Sequence, residues 1–104
     1  MNELKQYMVV HVDPHIPWEK VEENWRKLAD VEDATWVRTC YNRSAGVRYC
    51  VWLAPGEKVL AKIFEELDIS YESITQVEET LPDLWGRKWQ QHLKAEATAD
   101  TLGF

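Results

Sequence analysis

His11, Asp13, Cys40 and Cys50 are the residues of this sequence best suited to hold a transition metal. Imidazole nitrogen and thiolate sulfur favour nickel, zinc or copper over magnesium or calcium, and an aspartate can complete such a donor set. His11 and Asp13 alternate along the chain, so a strand would turn both to one face. Cys40 and Cys50 lie too far apart for the paired-cysteine spacing of a zinc finger or ribbon, and any site they share must be assembled by the fold. Two other readings stand beside the metal. The cysteines can serve as small apolar packing residues, or close a disulfide across a hairpin, a bond that a reducing cytoplasm disfavours.

A second constellation sets cations beside indole rings. Trp36 with Arg38, and Arg48 with Trp52, have the spacing to line an apolar pocket for a small aromatic or anionic ligand, a guanidinium meeting its carboxylate. Cross-strand pairing of arginine stems over the rings explains the same residues without a ligand. His11 could act as a base beside Asp13 or Cys50, yet no nucleophile elbow, phosphate loop or paired-carboxylate motif accompanies it. The sequence therefore leaves catalysis open.

These residues need strands and helices to bring them together, and the hydrophobic pattern supplies both. Lys5 to Asp13 is rich in β-formers and stops at Asp13-Pro14 and Pro17, which predicts a first strand and a loop. Trp18, Val21, Trp25, Leu28 and Ala29 recur at helical steps between charged residues. Ala34 to Tyr41 and Val47 to Leu53 flank Asn42-Arg43-Ser44-Ala45-Gly46, a connection that suits a hairpin with a glycine bulge. After Pro55-Gly56 a second helix carries Val59, Leu60, Ile63, Phe64 and Leu67, and Ser73 to Glu79 is a weak fourth strand. A third helix is expected from Asp83 to Ala99, placing Trp85, Trp89 and His92 or Leu93 on adjacent turns. The domain is read as residues 1–80, with 81–104 as its helical extension.

That order is the ferredoxin-like βαββαβ arrangement, an α+β fold whose antiparallel sheet has both helices on one face and the third strand between the first and second. Polarity predicts that Met8, Val10, Val12, Val47, Tyr49, Val51 and Leu53 face the helices. Tyr7, Val9, His11, Asp13, Trp36, Arg38, Cys40, Arg48, Cys50 and Trp52 would then share the open face. The metal candidates and the aromatic pocket would lie there together. Such a face is too apolar to stay wet, so the expected partner is a second copy, joined sheet to sheet.

Composition narrows the partners further. Among 104 residues, 18 acidic and 12 basic side chains give a formal charge of -6 with no basic block, which argues against nucleic acid. No apolar run is long enough to span a membrane and the first residues are polar, so the expected compartment is the cytoplasm.

Tyr7-Met8-Val9-Val10-His11, Gly46-Val47-Arg48-Tyr49-Cys50, the Ala54-Pro55 step and the stretch from Ile69 to Val77 occur in an order and spacing that resemble a bacterial domain-of-unknown-function family. Its members include small nickel-binding proteins with a ferredoxin-like, dimeric α+β barrel fold. The resemblance covers roughly residues 6–79. It implies metal ligation at His11 and Cys50, the positions that match. The sequence departs from the nickel-binding members by carrying Val12 where a second histidine would follow His11, and by having no histidine in its second helix. The expected function is accordingly a small binding protein for a transition metal. A ligand-binding module or small enzyme of the dimeric barrel type, and an assembly module without ligand, are the alternatives.

Overall fold

The computed structural model describes residues 3–82. Its elements follow the expected order: β1 (Lys5–Val12), α1 (Trp18–Ala29), β2 (Thr35–Asn42), β3 (Val47–Ala54), α2 (Glu57–Glu66) and β4 (Ser73–Gln76). They build one antiparallel sheet in the order β2-β3-β1-β4. The ferredoxin-like α+β class and the insertion of β3 between β1 and β2 are both as the pattern predicts. The helix expected from Asp83 to Ala99, with Trp85, Trp89 and His92, lies outside the described residues.

The facing of the strands is the reverse of the polarity expectation. Tyr7, Val9, Cys50, Trp52 and Ala54 pack with Leu28 of α1 and with Leu60, Ile63 and Phe64 of α2 in one core. His11 and Arg48 are buried on the same side, whereas Met8, Val10, Val12, Tyr49 and Leu53 point to the open face. Area decides the outcome. An aromatic side chain buries about 150–250 Å², so sinking Trp52 and Tyr7 contributes roughly 4–6 kcal/mol each at about 25 cal/mol per Å². Against that stands one buried guanidinium, whose several-kcal/mol desolvation is offset by pairing with Asp13 at 3.0 Å.

β2 obeys neither parity. A bulge between Trp36 and Arg38 inserts Val37 and shifts the register, so Trp36 pairs with Trp52 while Arg38 pairs with Val51. Trp36 therefore turns under α1, where its ring lies 6.2 Å from that of Trp25. Arg38 and Cys40 keep the open face that was expected of them. Trp36 does not.

Local signals explain the ends of the elements. In the hairpin, Asn42 Oδ1 accepts hydrogen bonds from Ala45 N at 3.0 Å and Ser44 Oγ at 2.9 Å. Gly46 closes it at φ 70°, and a Cβ there would meet Pro14 Cα at 2.4 Å. α2 ends with Asp68 in the left-handed region, Asp68 N bonding Glu65 O and Ile69 N reaching Phe64 O at 2.9 Å. This is a Schellman closure with aspartate in the place glycine usually takes. It brings Ser70 beside β1.

Candidate functional site

His11 is 1% exposed and occupies the helix-covered side of β1. Its Nδ1 donates to the Ser70 carbonyl at 2.7 Å, and its ring meets Phe64 edge-on at 5.2 Å. A carbonyl oxygen has no proton to give, so Nδ1 carries the hydrogen and Nε2 keeps its lone pair. That Nε2 is buried and has no hydrogen-bond partner among the described residues. Burial pushes the imidazole below its ordinary value of 6.5, and nearby Arg48 adds to the effect; the Ser70 bond and Asp13 oppose it. The ring is therefore neutral at pH 7, the form that can donate a lone pair to a metal.

Arg48 stands opposite His11 in the β1–β3 ladder. It gives Asp13 Oδ2 a hydrogen bond at 3.0 Å, and Ser70 Oγ donates to Asp13 Oδ1 at 3.3 Å. His11, Asp13, Arg48 and Ser70 thus form one network that ties β1 and β3 to the loop before β4. Chain connectivity sets this geometry: Asp13 directly follows β1, and the left-handed turn at Asp68 delivers Ser70.

Cys50 pairs with Val9, one diagonal step from His11 on the same face. Its sulfur accepts a hydrogen bond from Thr39 Oγ1 at 3.1 Å, and Thr39 accepts one from Trp36 Nε1 at 2.7 Å. Burial raises the thiol's pKa, while the Thr39 bond and Arg48 act the other way. Cys50 is thus a protonated, packed thiol. Cys40 is exposed, pairs with Tyr49 on the opposite face, and forms no disulfide with Cys50.

Of the residues predicted for a metal, the fold brings His11 and Asp13 into one network, seats Cys50 nearby and sets Cys40 apart. Among the described residues no group of three or more His, Cys, Asp or Glu side chains could hold a metal ion. The described residues of one chain offer one poised nitrogen donor but not a full ligand set. The predicted aromatic pocket is also dispersed. Trp52 is wholly buried, Trp36 packs against α1, and Arg38 pairs with Glu79 on the open face, where Glu79 also takes a hydrogen bond from Gln6 at 3.2 Å. Of that set, Arg48 lines a cleft at the hairpin end of the sheet.

Sequence reasoning missed Ser70 and Thr39, whose roles arise from long-range contacts. It also left Tyr41 and Arg43 out of any site. Trp18, Tyr41 and Arg43 gather at one end of the sheet, with Arg43 Cζ 4.2 Å from the Trp18 ring centroid and the Trp18 and Tyr41 rings 5.2 Å apart. The signal available was the hairpin itself, which starts at Tyr41 and folds back on the Asp13-Pro14 loop.

Sheet order, helix placement and the buried imidazole define a ferredoxin-like α+β protein with a histidine network beneath its helices. Residues 7–77 match the family described as nickel responsive protein SCO4226-like, and the chain belongs to that family. Its structure is similar to the crystal structure of SCO4226 from Streptomyces coelicolor A3(2), with a TM-score of 0.63 and 18% sequence identity. The likeness covers 73% of this chain and 99% of the other, and at that identity it concerns the fold. No curated protein sequence matches the chain.

Proposed function

We propose that this chain is a nickel-responsive protein whose metal-facing donor is His11 Nε2. The observation that carries the reading is the buried, unpartnered Nε2, in a ring whose other nitrogen is fixed by the Ser70 carbonyl at 2.7 Å. Metal-binding histidines characteristically hold the second nitrogen in this way, and nickel accepts neutral imidazole readily. The family description, nickel responsive, points in the same direction. Cys50 is the nearest sulfur donor, and its ligation would release the thiol proton. Water admitted with the metal would complete the set, because a copy joined through the open sheet face would lie on the far side of the sheet from His11 and Cys50. Since His11 is shut from water, nickel uptake requires a local opening and is slow compared with diffusion.

The test is calorimetric titration of the full chain with nickel chloride, alongside native mass spectrometry of the wild type, His11→Gln, Cys50→Ala and Cys40→Ser. The expected result is a stoichiometric nickel complex weakened at least about tenfold in His11→Gln and untouched in Cys40→Ser. Nickel bound equally well by His11→Gln, with its fold intact by circular dichroism, would overturn the reading.

A further inference from the structure

A cleft of about 270 Å³ lies between the β1–α1 loop and the β2–β3 hairpin, lined among others by Asp13, Trp18, Tyr41, Asn42, Arg43 and Arg48. His11 does not line it, although Asp13 and Arg48 of the His11 network do, and nickel responsiveness gives it no role. We propose that it binds a small planar carboxylate, an aromatic or heteroaromatic acid, with the ring against Trp18 and Tyr41 and the acid group between Arg43 and Arg48.

Charge, shape and size each restrict the ligand. Arg48 is 4% exposed and gives one hydrogen bond to Asp13. A guanidinium has five N–H donors in a planar fork, so the remaining ones suit the oxygens of a carboxylate. Arg48 and Asp13 cancel as charges. Arg43 is exposed and stacks over Trp18, with no acidic partner among the described residues. Among the described residues the cleft therefore holds one uncompensated positive charge, on a chain of formal charge -6, which selects a single negative group delivered locally rather than by long-range steering.

The wall selects the body of the ligand. Trp18 and Tyr41 rings lie 5.2 Å apart with 43° between their planes, and present aromatic surface to the cleft. Flat apolar ligands gain from stacking there, and the Arg43 cation that caps the Trp18 face reinforces a π-rich body. At about 30 Å³ per water, the 270 Å³ cleft equals roughly nine waters, the size of a one-ring acid and smaller than the roughly 300–1,000 Å³ of drug-sized sites.

The wall is also preformed. Gly46 N bonds Asn42 O at 2.9 Å, and Asp13 N bonds Gly46 O at 2.8 Å, so hairpin and loop are clamped together. Little order must be gained on binding.

The experiment uses the full, metal-free chain in the presence of a chelator, which makes its outcome independent of the nickel reading. Benzoate is the probe, with benzyl alcohol and inorganic phosphate as comparators, followed by saturation-transfer NMR and calorimetry. Benzoate should bind with a Kd below about 1 mM, and Arg43→Gln, an exposed change that leaves the core untouched, should weaken it at least about fivefold. Trp18→Leu should weaken benzoate as well, with circular dichroism confirming the fold. Benzyl alcohol and phosphate should bind detectably more weakly than benzoate. The proposal is overturned by no benzoate binding up to about 10 mM, by undiminished binding in Arg43→Gln, by benzyl alcohol matching benzoate, or by phosphate matching it.

Discussion

His11 shows how one residue can be a structural and a chemical group together. Its ring fills space beside Phe64 and its Nδ1 ties β1 to Ser70, yet Nε2 is left without a partner in the interior. Leaving a buried polar atom unsatisfied costs about 1–3 kcal/mol, which is tolerable where the lone pair has a use. The fold also keeps the ring neutral, with a consequence for stability. The folded-state pKa lies below the ordinary 6.5 because burial penalises the cation. Above about pH 7.5 neither folded nor unfolded chain holds this proton, and the residue makes no pH-dependent difference. As pH falls through 6.5 the unfolded chain takes the proton that the folded chain refuses, so stability drops until the folded pKa is passed. The expected slope is up to about 1.4 kcal/mol per pH unit between roughly pH 6.5 and the folded value. Urea unfolding of wild type and His11→Gln from pH 8 to 5.5 checks this. A wild-type midpoint that does not fall relative to the variant's would remove His11 as the cause.

At the scale of elements, the strand order was legible in the sequence and the strand faces were not. Proline and glycine punctuation and the helical repeats of Val21, Trp25 and Leu28, and of Leu60, Ile63 and Phe64, suffice for the βαββαβ order. Alternation fails on β1 because both of its faces are apolar: Tyr7 and Val9 compete with Met8 and Val10 for the core. On β3 the cue was Arg48, which reads as a solvent residue until Asp13 is seen beside it. The bulge at Val37 has no glycine or proline to announce it. For the site, the types His11, Asp13, Arg48 and Cys50 were readable, but Ser70 joins them only through the way α2 ends. Gly46 is the position where local conformation and long-range packing coincide. Its φ of 70° and the approach of Pro14 Cα to 2.4 Å from a would-be Cβ leave no room for alanine. Gly46→Ala should lower stability by about 2–4 kcal/mol, the strain of a left-handed residue added to a backbone clash. Chemical denaturation measures it, and a loss below about 0.5 kcal/mol would mean that hairpin and loop separate without cost.

For the whole molecule, the sheet divides the chain into a finished side and an unfinished one. Helices cover Tyr7, Val9, Cys50 and Trp52, while Met8, Val10, Val12, Tyr49, Val51 and Leu53 form an apolar stripe on the other face, exposed at Val12 and Tyr49 and already buried at Val51. Glu79, paired with Arg38 and bonded to Gln6, brings the chain after β4 across one end of that face. Val12 and Tyr49 are 44% and 43% exposed in the isolated chain. A contiguous apolar sheet face of this kind is a surface for association, and a self-complementary one is met most simply by a two-fold pair. We expect the chain to be a dimer through this face even though the residues on it are not those that polarity first suggested. The difference bears on the metal, because His11 and Cys50 lie beneath the helices and a sheet-to-sheet partner would not reach them directly. Dimerisation and nickel binding should therefore separate by mutation. Val12→Glu with Tyr49→Glu changes exposed side chains only and should convert the dimer to a monomer by analytical ultracentrifugation, without lowering thermal stability of the monomer's own core. This monomer should keep the nickel affinity of the wild type; an affinity that falls with the dimer would mean that the second copy supplies a ligand after all. A double variant that sediments like the wild-type dimer would place the interface elsewhere.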